Sequence, residues 1–195
     1  MKEELKKMLL GFPMLTEEEM QLILDSSDVR AYKKGSMLLR EGEVAKNCYS
    51  VLKGMVREYV VVDGEEKTTN FYTEGQPVNA FTSATSQTSS KVNWVCSERC
   101  VLAVGTESLE EEMCRLIPKL EGIIRKEVER YTGETQDELA FFMTSTPEQR
   151  YLRLIEKRPD LYHRAPQHQI ASYLGITPES LSRIRKRIFS KKAVN

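Results

Sequence analysis

Residues 167–188 read QHQIASYLGITPESLSRIRKRI, a stretch that resolves into two helices and a tight turn. Ile170 and Leu174 stand four apart, so they share one face of a first helix. Ala171 falls where two helices must approach closely and a larger side chain would clash. Gly175 makes the turn, because a positive φ costs glycine nothing. Ile176 plugs the corner, Thr177 caps the second helix and Pro178 opens it. Leu181, Ile184 and Ile188 form that helix's buried stripe. The pattern predicts a helix-turn-helix. A basic amphipathic hairpin without further role is the plainer alternative. The alanine, the glycine, the capped start and the polar outer face, all present at once, argue against it.

The outer face carries the chemistry. Glu179, Arg183, Lys186 and Arg187 are spaced by four, three and one, on the side away from Leu181 and Ile184. The second helix of such a motif enters the major groove of duplex DNA with its N-terminal residues toward the base edges. Arginine can make a bidentate contact to guanine, and glutamate can accept from cytosine. Glu179 and Arg183 are therefore candidates for reading adjacent base pairs. Thr177, Ser180 and Ser182 lie within reach of bases or phosphates. Lys186, Arg187, Lys191 and Lys192 suit phosphates, which position without specifying.

Charge distribution points the same way. The chain has 195 residues with 29 Lys and Arg against 29 Asp and Glu. From Ser145 onward there are 11 basic against 4 acidic residues, a net of +7, which leaves 18 against 25, a net of −7, before it. A neutral chain with one basic end suggests that this end meets a polyanion; a solvated basic surface is the other reading. Apolar residues make up 40%, an ordinary globular share. No run is long and apolar enough to span a bilayer. Met1–Leu10 has no signal-type apolar region, which predicts a cytoplasmic protein. The four cysteines, Cys48, Cys96, Cys100 and Cys114, then read as reduced thiols. The four-residue spacing of Cys96 and Cys100 invites a metal, but residues four apart also share one face of a strand. The two histidines, His163 and His168, lie far away in sequence, so no metal site is expected.

Upstream the texture differs. Residues 1–26 read as helical, with Leu5, Met8, Leu9 and Phe12 at helical spacing and Thr16 as an N-cap before three glutamates. From Val29, Gly35, Gly42, Gly54, Gly64 and Gly75 punctuate short β-prone runs: 36–40, 48–52, 55–62 and 67–72. Further strand signal follows at 92–96 and 100–104. Val62-Asp63-Gly64-Glu65 is a hairpin turn, since Asp-Gly supplies the positive φ angles required. Regular short strands with glycine turns indicate an antiparallel barrel or sandwich. Ser108-x-x-Glu111 fits a capping box. A helix from about Ile117 to Met143, near 40 Å at about 1.5 Å per residue, is longer than one small domain needs. A seam of that length commonly pairs with a copy of itself; packing on its own β-domain is the alternative. Thr146 and Pro147 open the next helix, and Arg158-Pro159 stops it.

Together these stretches resemble the Crp–Fnr family of bacterial transcription regulators over nearly the whole chain. The β-roll runs KKGSMLLREGE and SVLKGMVREYVVVDGEE, the long helix and IASYLGITPESLSRIRK carry the resemblance, the last looking like Bacteroidetes-type members. The resemblance implies an α+β chain: an N-terminal antiparallel β-roll (a jelly-roll-like double-stranded β-helix) with flanking helices, a long dimerisation helix and an all-α C-terminal domain. The corresponding divisions are a sensor domain at 1–116, a dimerisation helix at 117–144 and a DNA-binding domain at 145–195. The implied partners are double-stranded DNA, a second copy of the chain and RNA polymerase. The family's recognition helix carries a Glu and an Arg one turn apart, here Glu179 and Arg183. A preceding Arg common in relatives is Pro178 here, so the operator is not read off by analogy.

The ligand cassette departs from the family pattern. Cyclic-nucleotide-binding members carry Gly-Glu-Leu and, about ten residues on, Arg-Ser or Arg-Thr; the Arg neutralises the cyclic phosphate and the Glu takes the ribose hydroxyl. Here Asn79, Ala80 and Phe81 stand in the first position, with Ala80 in place of the Glu. Ser90 stands in place of the Arg, beside Lys91. A buried phosphate without a charged partner is costly, and lysine does not reproduce arginine's bidentate geometry. The expectation is that cyclic AMP does not bind in the usual way. No cofactor is expected either: the first cysteine is Cys48, unlike iron–sulfur members with an N-terminal cluster, and both histidines lie outside the β-region. Two rival readings stand beside the regulator. One is a ligand-binding or interaction module without a DNA role. The other is a cupin-type enzyme, which normally needs histidines in the barrel; none is present, and the chain is read as not an enzyme.

Overall fold

The computed structural model describes residues 1–192, with the side chains of Phe189, Lys191 and Lys192 outside the description. The phosphate role expected of Lys191 and Lys192 therefore lies outside the described residues. Two compact units emerge: residues 1–60 with 70–125, and residues 61–69 with 126 onward.

In the first unit two helices, α1 (Lys2–Leu9) and α2 (Glu17–Ser26), precede the strands. The sequence pattern reads 1–26 as helical with an N-cap at Thr16, and the second helix starts directly after that residue. Thr16 accepts from the Glu19 N–H while the Glu19 carboxylate accepts from the Thr16 N–H, the reciprocal capping box. Eight strands follow: β1 (Asp28–Tyr32), β2 (Met37–Leu39), β3 (Cys48–Lys53), β4 (Val56–Val62), β5 (Glu65–Tyr72), β6 (Pro77–Val78), β7 (Asn93–Cys96) and β8 (Cys100–Gly105), of which the hairpin end of β4 and β5, residues 61–69, is counted with the second unit. They form two four-stranded sheets, ordered β1-β8-β3-β6 and β2-β7-β4-β5. Strands β1 and β6 and the short helix α3 (Phe81–Ser86) carry little local signal, since they are short or mixed in polarity. The β4–β5 turn has Asp63 at φ 52° and Gly64 at φ 79°, the positive pair that Asp-Gly predicts.

The roll's core is aromatic at its centre. Trp94, Phe71, Met55, Leu102 and Val51 are fully buried, and Tyr49 meets Trp94 and Tyr32 edge-on at 6.3 Å each. Glu58 serves two donors with one oxygen: Trp94 Nε1–H and Tyr72 O–H both donate to its Oε2 at 2.9 Å. A second apolar cluster joins Leu5, Leu9, Leu15 and Leu24 of the N-terminal helices to Leu52, Met113, Ile117 and Ile123.

Two helix boundaries differ from expectation. Helix α4 (Glu107–Leu116) starts two residues earlier than the Ser108 box implies: Thr106 is the N-cap and its Oγ1 accepts from the Leu109 N–H at 3.3 Å. Ser108 Oγ bonds Thr106 Oγ1 instead. The long helix α5 (Lys119–Thr144) begins after Pro118. Ile117 sits at φ −130°, ψ 80°, because a residue before proline is excluded from the helical region.

In the second unit the rest of α5 is followed by α6 (Pro147–Lys157), α7 (Pro159–Arg164), α8 (Gln167–Tyr173) and α9 (Pro178–Lys192). Thr146 and Gln149 form the expected cap of α6, with Pro147 in its first turn. Arg158 ends α6 and Pro159 starts α7. Tyr151, Leu154, Leu161, Ala165, Ile170, Ala171, Leu174, Leu181, Ile184 and Ile188 are its buried apolar residues, and each of α6, α7 and α8 packs on its successor.

Candidate nucleic-acid interface and sensor cavity

The α8–α9 pair has the geometry the sequence implies. Ile170, Ala171 and Leu174 are buried to 3% exposure or less. Gly175 turns at φ +67°. The Ser180 N–H donates to Thr177 Oγ1 at 3.3 Å, capping α9. Leu181, Ile184 and Ile188 face inward, whereas Thr177, Glu179, Ser182, Arg183, Lys186 and Arg187 are exposed and Ser180 is half-buried. Helical period alone produces this split.

The electrostatics of that face are finer than its charge count. Arg183 Nη2 donates to Ser180 Oγ at 3.0 Å, one turn back. The Glu179 carboxyl is held below its usual range, first by its own backbone N–H and then by Thr177, with Arg183 adding attraction. Arg185 differs: half-buried, it donates to Gln167 Oε1 and Tyr162 Oη at 2.6 Å each and lies 5.0 Å from the Tyr162 ring centroid. It anchors α9 to α7 and α8 rather than joining the outer face. Arg187 is paired with Glu148 of α6. Further back, Arg150 donates to the carbonyls of Leu174 (3.0 Å), Ser145 (2.8 Å) and Phe142 (3.3 Å). Glu138 of α5 takes Arg153 on two nitrogens and Lys157 at 3.3 Å. Arg185, Glu148, Arg150 and Glu138 carry no motif signal, because each role depends on a partner distant in sequence.

Helix α5 buries only Ile123. Val128, Leu139, Phe142 and Met143 remain exposed, an unusual apolar load for a solvated helix.

The ligand-cassette residues are placed as follows. Ser90 is buried, and its hydroxyl is engaged at both ends by Val92, donating to the carbonyl at 2.9 Å and accepting from the N–H at 3.1 Å. Lys91 and Phe81 are exposed, and Ala80 is the N-cap of α3. Asn79 is half-buried, with its Oδ1 buried and unpartnered. Asn79, Ala80 and Phe81 border a groove of about 540 Å³ that also touches Lys46, Cys48 and Glu110; Ser90 and Lys91 do not line it. The cassette positions 79–81 and 90–91 thus bring neither a carboxylate nor an arginine. Cys96 and Cys100 are buried side by side, with the Cys100 thiol directed to the Met55 carbonyl at 3.4 Å. Hydrogen bonding to Cys100, then burial, pushes the Cys96 thiol up. Among the described residues no three His, Cys, Asp or Glu side chains are grouped to hold a metal, and no helix is long and apolar enough to cross a membrane.

Residues 29–114 match the family model of the cyclic nucleotide-binding domain. No curated protein sequence matches the chain. Among solved structures, the chain is similar to the c-di-GMP responsive global regulator CLP of Xanthomonas campestris, with TM-score 0.70 and 18% identity over 91% of this chain and 93% of that one. It is similar to FixK2 from Bradyrhizobium japonicum, with TM-score 0.69 and 17% identity over 85% and 86%. It is also similar to the Catabolite Activator Protein of Thermus thermophilus, with TM-score 0.56 and 20% identity over 93% and 87%. These likenesses establish the fold: an antiparallel β-roll of the cyclic nucleotide-binding kind, a long helix and a C-terminal group of helices.

Proposed function

We propose that the chain is a sequence-specific DNA-binding transcription regulator of the Crp–Fnr kind, not an enzyme, acting in the cytoplasm as a homodimer. The observation that carries this reading is the two-sided α9: Leu181, Ile184 and Ile188 buried, Glu179 and Arg183 exposed one turn apart. In this reading residues 1–116 sense, 117–144 dimerise through the apolar face of α5, and 145–195 bind DNA. Two recognition helices would sit about 34 Å apart and meet half-sites about 10 base pairs apart. Glu179 and Arg183 read base edges, Thr177, Ser180 and Ser182 support them, and Lys186 lies toward the backbone; Arg187, expected there from the sequence, is paired with Glu148 instead. RNA polymerase is a further partner in this reading. The cassette around Asn79, Ala80, Phe81, Ser90 and Lys91 does not take cyclic AMP in the usual way. An effector acts only by binding two arrangements of the dimer with different affinity.

The test is selection of bound duplexes from a random pool, followed by binding titrations of the selected sequence with parent and Arg183→Ala. The variant is expected to lose about 1–3 kcal/mol of discrimination. Unchanged discrimination removes Arg183 from the reading; failure to enrich any sequence removes the function itself. Light scattering or sedimentation, with Phe142→Glu as the variant, tests the dimer.

A further inference from the structure

The net of +7 from Ser145 onward overstates what this end can offer a polyanion. Most of its cations are already engaged within the fold. Arg153 and Lys157 meet Glu138, Arg158 and Arg164 share Asp160, and Arg150 caps three carbonyls. On α9, Arg185 is turned inward onto Tyr162 and Gln167. Arg183 donates to a neutral hydroxyl, and Lys186 is exposed. Alone among the described cations of α9, Arg187 forms an ion pair, with Glu148, and the two side chains are 55% and 29% exposed.

We propose that Glu148 is a charge mask on the recognition helix, keeping Arg187 out of the set of phosphate-binding cations. This rests on the DNA-binding reading above and goes one step further, to a residue outside the motif. A guanidinium fork matches a carboxylate and a phosphate with the same geometry, so the carboxylate occupies the place a phosphate oxygen would take. Glu148 sits in the first turn of α6, behind Thr146 and Pro147, where the helix N-terminus favours a negative charge. The carboxylate is therefore stable where it stands, and it adds repulsion toward a nearby DNA backbone. Glu148 limits affinity and salt dependence without touching sequence choice.

The experiment uses the full-length protein and a mixed-sequence duplex of about 30 base pairs, three turns of DNA, so that no operator is needed. Fluorescence anisotropy gives Kd from about 50 to 200 mM salt for parent, Glu148→Gln, Arg187→Ala and the double variant. Each phosphate contact adds about 0.9 to the slope of log affinity against log salt. Glu148→Gln is expected to bind more tightly and to steepen the slope by about 0.9, an extra loss of about 3-fold across that range. Arg187→Ala is expected to leave the parent slope unchanged, and the double variant to return to it. The proposal is overturned if Glu148→Gln leaves slope and affinity alone, or if Arg187→Ala lowers the parent slope by a full contact. Either result leaves DNA binding standing. A parent that binds no duplex at any salt overturns both the function and the mask. The Arg187→Ala arm decides the matter even if Glu148→Gln folds poorly.

Discussion

Gly175→Ala should destabilise the C-terminal unit, by an amount that the structure divides into two parts. Gly175 turns at φ +67°, where an L-residue costs about 1–2 kcal/mol. A Cβ there would also lie 3.0 Å from Phe142 Cζ. That ring has limited freedom to move: the Arg150 guanidinium lies 4.5 Å from its centroid, and Arg150 is fixed by three carbonyls. Overpacking against such a ring adds roughly another 0.5–1 kcal/mol, below the usual core range of about 1–3 because Phe142 is 43% exposed. A total near 2 kcal/mol corresponds to a Tm lower by about 4–8 °C for a chain of this size. Circular dichroism melts of parent, Gly175→Ala, Phe142→Ala and the double variant separate the parts. The backbone share should persist in the Phe142→Ala background while the contact share disappears. Gly175→Asn should lose less of the backbone share, since asparagine tolerates left-handed φ better than alanine. A Gly175→Ala melt within about 1 °C of the parent, on the scale of about 2–4 °C per kcal/mol, would refute the strain argument.

Glu58→Ala should cost about 2–4 kcal/mol, because it strips the acceptor from two buried donors, Trp94 Nε1 and Tyr72 Oη. Glu58→Gln, which keeps one carbonyl oxygen, should cost less. Trp94 is the single tryptophan, so urea unfolding followed by its fluorescence reads both variants, and equal losses would rule out the acceptor role. Glu138 predicts an acid limb of stability. Hydrogen bonding to Arg153 first, with Lys157 adding to it, holds its carboxyl below the usual range, so near the ordinary carboxylate value the unfolded chain binds more protons than the folded one. The stability from this group is full above about pH 4.3 and fades as pH falls through the lowered native value. Glu138→Gln should remove that limb while costing under about 1 kcal/mol at neutral pH, since the pair is partly exposed. Chemical denaturation at several pH values checks it, and an unchanged acid limb counts against the pair.

What can be read along the chain is whatever is set locally. The turn at Gly175, the caps at Thr16, Thr146 and Thr177, the Asp63-Gly64 hairpin and the inward stripe of Leu181, Ile184 and Ile188 each depend on neighbours within a few positions, so residue order alone specifies them. The capping box expected at Ser108 and the helix start expected at Ile117 fail for a local reason too: Thr106 competes for the cap, and Pro118 excludes Ile117 from the helix. The tertiary structure alone decides which charges on the basic end remain available. Arg187 meets Glu148 from 39 positions away, Arg185 meets Tyr162 from 23, and in the roll Trp94 meets Glu58 from 36. Helical periodicity indicates the face on which a side chain emerges. Only the folded path of the backbone determines which distant carboxylate or hydroxyl waits there, because charge pairing acts through space over a few ångströms and is indifferent to sequence separation.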